Sequence, residues 1–199
     1  MLSIPHSVQF MNHIPDWLKL EVEDYFRVEM NLSPKIVLDI GANIGAFALR
    51  AHQAWPDARI MCYEPIPSNV AMLRQHVDPQ WAEVFPYAVR SQGGVQEIFV
   101  GDMFVTSGFS RGIRQTATTI PVQCVSARDL HDADIVKIDT EGSEIEILRC
   151  MKLESVEAIL LEHHSKRDAA EIKSILKHQF ETIHDESERD VGTMIFKRK

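Results

Sequence analysis

The sequence predicts a Rossmann-like α/β fold: a mostly parallel sheet, helices on both faces and a closing antiparallel hairpin. Three observations predict it. From Ile36 onward, apolar runs of strand composition alternate with helix-period segments, as strand–helix–strand units require. The first two runs end in acids, Asp39 and Glu64, and the first turns on Gly41 and Gly45 into a helix. The last two runs, near residues 180–183 and 193–196, flank a charged turn and suit an antiparallel return on a parallel sheet.

Taken in order, Asp16 is placed to cap a helix whose Leu18, Val22, Tyr25 and Phe26 share one face. That helix is expected to cross the sheet edge or roof a pocket. Pro34 breaks the chain before a strand at about 36–40, and a helix runs from Gly45 to about Trp55. A second strand is expected near 59–63, a helix near 68–77 and a third strand near 83–89. Alternation then lapses. Residues 91–125 read as a β-rich insertion, with a strand at 95–100, a glycine-punctuated polar stretch at 101–118 and an edge strand carrying Ile120, Val122 and Cys124. It resumes with a strand ending at Asp139, a helix near 143–151 and a strand near 156–161. Asp168 and Glu171 resemble a capping box for a last helix carrying Ile172, Ile175 and Leu176. The chain is read as one domain, 1–199, with residues 1–34 as a helical N-terminal extension.

Composition narrows the function classes. With 199 residues and a 45% hydrophobic fraction, the chain suits one α/β unit with an ordinary core. A net charge of −8 argues against nucleic-acid binding, which draws on Lys and Arg contacts to phosphates. No apolar stretch is long enough to span a membrane, and the first residues lack the pattern of a secretory leader. Cys62, Cys124 and Cys150 form no C-x-x-C pair and read as small apolar residues of a reducing compartment. A cytoplasmic protein with neither a nucleic-acid nor a membrane partner is expected. Composition is silent on oligomeric state.

The turn Asp39-Ile-Gly-Ala-Asn-Ile-Gly45 lets backbone approach a ligand closely and aims helix N–H groups at it. Asn43 stands where a dinucleotide fingerprint could place a middle glycine, and Asn tolerates left-handed backbone. An acid before the turn repels a pyrophosphate but suits a cationic amino acid moiety. Glu64, at the tip of the second strand, can accept from ribose hydroxyls. Together they point to S-adenosylmethionine, which carries adenosine, a sulfonium and no phosphate. A second motif, Val136-Lys-Ile-Asp-Thr-Glu-Gly-Ser-Glu144, gathers three acids around one turn at a strand's C-terminal end, where open α/β sheets bind ligands. A capped helix start explains Glu144 in part and Asp139 less well.

With Tyr63-Glu-Pro65 and Ile159-Leu-Leu-Glu-His163, these motifs resemble the FkbM family of S-adenosylmethionine-dependent methyltransferases from about Ile36 to His163. The resemblance implies the class I methyltransferase fold, with seven strands, and O-methylation of a small hydroxyl-bearing acceptor such as a sugar or natural product. It implies that Asp39, Gly41, Asn43 and Gly45 cradle the methionine part, that Glu64 binds the ribose, and that Ala88 and Val89 neighbour the adenine. It places Asp139 near the methyl group, with Glu141 behind.

Removing a hydroxyl proton calls for a base. Asp139, Glu141 and His163 are the candidates, and His163 has the most suitable ordinary pKa. A solvated strand end explains His163-His164 equally well, while His52, His76, His131, His178 and His184 read as surface residues. Asp139, Glu141, Glu162 and His163 are suitable ligand types for a divalent ion, but no tight spacing groups them, so no metal is expected. A short-chain reductase would need Tyr-x-x-x-Lys, yet Tyr25, Tyr63 and Tyr87 are followed four places on by Glu29, Pro67 and Ser91. A DNA amino-methyltransferase would carry an Asn/Asp-Pro-Pro-aromatic element, which Asp139-Thr-Glu-Gly142 is not. A non-catalytic module that keeps the pocket as a scaffold is the alternative to an enzyme. The stretch 101–118, with Phe104 and Phe109, is expected to close over the acceptor.

Overall fold

The structure is a computed structural model that describes residues 14–101 and 115–199. Residues 1–13 and most of the expected acceptor loop, including Phe104 and Phe109, lie outside the described residues. Helix α1 (Asp16–Glu23) runs into a 3-10 turn (Asp24–Phe26). Then follow β1 (Ile36–Ile40), α2 (Ala46–Ala54), β2 (Arg59–Tyr63), α3 (Pro67–His76), β3 (Ala82–Phe85) and β4 (Ala88–Arg90). Strands β5 (Gly94–Gly101) and β6 (Gln115–Ser126) precede β7 (Ile135–Ile138), α4 (Glu144–Cys150) and β8 (Ala158–His163). Helix α5 (Lys166–Leu176) and the hairpin β9 (Phe180–Asp185) and β10 (Gly192–Arg198) complete the chain.

The main sheet has seven strands in the order β3-β2-β1-β7-β8-β10-β9. The first five are parallel, and β10 runs antiparallel to both β8 and β9. The chain leaves β1 towards β2 and returns on its other side at β7, so β1/β7 is the switch point where such sheets open a ligand crevice. Strand residues alternate between two buried layers. Val37, Ile135, Ala158 and Leu160 pack with Leu18, Phe47, Leu49 and Leu73 of α1, α2 and α3. Leu38, Ile40, Val136, Ile159 and Leu161 pack with Ile147, Ile172 and Leu176 of α4 and α5. Among the described residues no helix is long and apolar enough to cross a membrane.

Local chemistry explains where elements start. Gly45, at φ 94°, caps α2, and Pro67 opens α3, where its missing N–H costs nothing. The expected strand at 83–89 is two strands in two sheets. Pro86 lies between them, and β4 pairs with β6 rather than continuing beside β2. β6 is the middle strand of the three-stranded sheet β4-β6-β5, not an edge. Its Pro121 faces Glu97 of β5 in a stretch outside the β4 ladder, which spans Cys124 to Ser126. The start of α5 is capped by Ser165, whose Oγ accepts the Asp168 amide at 3.1 Å, three residues before the expected box. Asp16 is the first residue of α1, pairs with Lys19 at 2.9 Å and does not cap.

Candidate active site

A cleft opens at the C-terminal ends of β1, β2 and β7, enclosing with its mouth about 870 Å³ of empty space. Gly41, Asn43, Glu64, Ala88, Val89, Asp139 and Glu141, all singled out in the sequence, line it together. Leu18, Glu21, Val22 and Tyr25 roof it from α1 and the 3-10 turn. That roof is pinned down by Arg50–Glu23 at 2.8 Å and by the edge-on contact of Tyr25 with Phe47 at 5.7 Å.

The turn after β1 is held on three sides. Gly41 sits at φ 78°, and a Cβ there would lie 1.7 Å from the Asp139 carbonyl oxygen, so the two motifs meet backbone to backbone. Asn43 adopts φ 50°, the left-handed conformation its residue type permits. From α3, His76 donates Nδ1–H to the Ile44 carbonyl at 2.6 Å; it is buried, contrary to its expected surface position. Glu64 accepts the Asn43 amide at Oε2 (2.9 Å), and the Ile66 amide (2.9 Å) and Asn69 Nδ2 (3.4 Å) at Oε1. Burial pushes the Glu64 carboxyl up to about 7 despite these donors.

Asp39 and Gly45 support the cleft from below and do not line it. Gly45 packs against α3, where a Cβ would come within 2.7 Å of Leu73 Cδ1. Asp39 is fully buried and stands opposite Lys137 in the β1/β7 register. Lys137 is the residue sequence reasoning missed. Its Nζ donates to the Gly41 carbonyl at 2.7 Å and lies 3.4 Å from Asp39 Oδ1 and 3.6 Å from Asp139 Oδ2. Burial opposes its charge, but Asp139 and Asp39 outweigh burial and raise its pKa. The signal was present: a lone lysine in an apolar strand, two residues before the acid at its tip.

The three expected catalytic residues do not converge. Asp139 and Glu141 line the cleft, whereas His163 is fully buried on the opposite layer, its Nε2 3.3 Å from the Glu186 carbonyl. His164 stands by the acids instead, 3.5 Å from Glu144 Oε1, 3.8 Å from Glu162 and 3.9 Å from Glu141. Burial works against its charge, but Glu144, Asp139 and Glu141 push its pKa up to about 10. Burial and then the nearby Asp139 charge push Glu141 to about 7 and Glu162 to about 9. Glu21, on the roof, is raised to about 7 for the same two reasons. Glu144 is held low once its donors outweigh burial: the Thr140 and Gly142 amides bond it at 2.9 and 3.1 Å, and His164 faces it. Asp139, Glu162 and His164 bring one donor atom each within 4.8 Å of one another, a spread a divalent ion could bridge. Charged His164 already supplies a cation there.

Comparison with known proteins bears on this arrangement. The model of the methyltransferase FkbM domain matches residues 39–183. The hexuronic acid methyltransferase AglP of Haloferax volcanii is 26% identical over 149 residues, 71% of this chain and 61% of its own. The 31-O-demethyl-FK506 methyltransferase FkbM of Streptomyces tacrolimicus is 36% identical over 89 residues, 43% of this chain and 34% of its own. The chain thus spans less than two thirds of either relative. Among solved structures, the ribosomal protein L11 methylase of Lactobacillus delbrueckii subsp. bulgaricus superposes with a TM-score of 0.55 at 10% identity, over 92% of this chain and 78% of that one. Human N-acetylserotonin methyltransferase, solved with SAM, gives 0.51 at 12% identity, over 96% and 55%. At these identities the likeness is one of fold.

Proposed function

The chain belongs to the FkbM family of methyltransferases, and from that premise we propose that it moves a methyl group from S-adenosylmethionine to a hydroxyl of a small acceptor. The observation that carries this reading is the meeting of two motifs in one cleft: the Gly41–Asn43 turn with Glu64 on one side, Asp139 and Glu141 on the other. The residues suit the cofactor. A carboxylate offers about four acceptor sites; Glu64 spends them on three donors, the longest at 3.4 Å, and a ribose hydroxyl can take the remainder. Ile66, Ala88, Val89 and Ile98 give an apolar wall for a flat base. Asp39 stays beneath, where it fixes Lys137 and through it the turn.

The cofactor, once bound, would supply an electrophilic methyl carbon on sulfur, which an acceptor oxygen would take. The protein has to hold that oxygen in line and remove its proton. Asp139 is assigned the proton, with Glu141 as the second acid. His164, raised to about 10, is already charged near neutrality and acts as a cation among the acids rather than as a base. A hydroxylated acceptor is supported by the two relatives, a hexuronic acid methyltransferase and a 31-O-demethyl-FK506 methyltransferase.

The test has two steps. S-adenosylmethionine or its demethylated product should raise the melting temperature, and NAD should not, because a ligand of the native state alone stabilises it. A pool of hydroxylated metabolites should then yield a product heavier by one methylene, and Asp139→Asn should slow its formation by roughly 10²–10⁴ with cofactor affinity retained. Stabilisation by NAD alone would sink the cofactor assignment. Cofactor binding without any methylated product would favour a non-catalytic module.

A further inference from the structure

The Asp139 carboxylate is approached by two buried groups, and both reach the same oxygen. Tyr25 donates its hydroxyl to Oδ2 at 3.4 Å, and Lys137 Nζ lies 3.6 Å from that atom. Tyr25 is 2% exposed and Lys137 3%. Neither donor is free to wander. Lys137 is fastened to the Gly41 carbonyl and faces Asp39, while the Tyr25 ring is wedged against Phe47 in the first turn of α2. Burial, with the Asp139 charge second, pushes the tyrosine pKa well up, so its proton stays in place for donation.

A carboxylate's terminal torsion is broad and two-fold, so an untethered Asp exchanges its oxygens freely. A hydrogen bond from Tyr25 and an ion pair with Lys137 on one oxygen oppose that exchange. We propose that Tyr25 is a positioning residue for the reaction: it shares Oδ2 of Asp139 with Lys137 and so presents Oδ1 to the acceptor hydroxyl. This rests on the reading of Asp139 as the proton acceptor. Tyr25 lies outside the 39–183 stretch that matches the family. The N-terminal segment thereby becomes part of the catalytic apparatus, beyond its service as a roof.

Tyr25→Phe removes one atom and keeps the ring contact. The chain has three tyrosines, so full replacement by 3-fluorotyrosine gives three fluorine resonances, of which Tyr25 is the one lost in Tyr25→Phe. Asp139→Asn should shift that resonance and leave those of Tyr63 and Tyr87 in place; an unmoved Tyr25 resonance overturns the proposal. The second arm is a double-mutant cycle in kcat. Tyr25→Phe should lower kcat roughly 3–10-fold, the net worth of one ordinary hydrogen bond, with KM for the methyl donor and the melting temperature little changed. In the Asp139→Asn background it should cost nothing further. Equal losses in both backgrounds would show that Tyr25 acts independently of Asp139 and also overturn the proposal. A parent protein that transfers no methyl group would count against the proposed reaction, while the fluorine arm still decides the contact.

Discussion

Glu64 and Asn43 join the tips of two adjacent strands: the Asn43 amide after β1 donates to the Glu64 carboxylate after β2 at 2.9 Å. The same carboxylate takes the Ile66 amide, so it shapes the backbone of both turns as well as facing the cleft. Sequence reasoning gave it a ligand-binding role alone; at 5% exposure and with two main-chain donors, it holds the fold as well.

Glu64→Ala should therefore fail in two ways. Two amides lose their acceptor, lowering stability by about 1–3 kcal/mol in urea titration. Affinity for the demethylated cofactor should fall roughly 10–100-fold by calorimetry, from the same range for a charged hydrogen bond. Full affinity in a folded variant would leave Glu64 a scaffold residue alone.

Two glycines with left-handed backbone should respond differently to Ala. Gly41 has the Asp139 carbonyl 1.7 Å from its would-be Cβ, so Gly41→Ala must force β1 and β7 apart at their tips. Gly142, at φ 113°, has nothing within 4 Å and carries backbone strain alone, about 1–2 kcal/mol. Gly41→Ala should lose cofactor binding and much of its melting temperature; Gly142→Ala should remain folded and bind. Equal behaviour would refute the backbone contact.

Stability should decline on the alkaline side. Glu21, Glu64 and Glu141 are raised to about 7, Glu162 to about 9 and His164 to about 10. A group whose folded pKa is raised keeps more protons folded than unfolded, so its contribution is complete below the unfolded value and is lost as pH rises through the folded one. All five act in that direction. Glu144 and Asp185, the latter lowered to about 2, act oppositely and lose their contribution as the medium becomes acid. The ligand-free protein should be most stable near about pH 5–6 and weaken steadily towards pH 9, as denaturation at a series of pH values would reveal.

The two adjacent histidines should separate cleanly. His163→Gln disturbs a fully buried ring and should lower the melting temperature. His164→Gln removes the cation among Glu141, Glu144 and Glu162 and should lower turnover. The reverse pattern, turnover lost at His163 with His164 silent, would return the base to the position first expected from sequence.

Much of this was legible. The bounds of β1 and β2 were read to the residue, because apolar runs ending in an acid and a glycine turn admit few other structures. Seven cofactor-side positions were named, from the turn after β1, the tip of β2 and, for Ala88 and Val89, the family resemblance, and five of them line the cleft. The histidine was misread for a physical reason. Strand β8 is buried on both faces, so no polar alternation announces which way each residue points. Ala158 and Leu160 belong to the cleft-side layer and Ile159 and Leu161 to the other, which sends Glu162 towards the acids and His163 away. Once Asp139 is set by the β7/β8 register, that parity follows, but register is a tertiary fact. Tyr25 and Lys137 were hidden in a different way: one read only as part of a helix face, the other passed unremarked within a motif, and only their shared approach to Oδ2 gives them a role.

Among the described residues, β4, β5 and β6 share no ladder with the seven-stranded sheet. A lengthening or shortening within that panel leaves the pairing of β1, β2 and β7 untouched. Ala88 and Ile98 nevertheless form part of the cleft wall. One wall can thus change in length without a change in the pairing of the floor, and a longer or shorter β5–β6 connection transplanted from a relative should break no ladder of the strands beneath it.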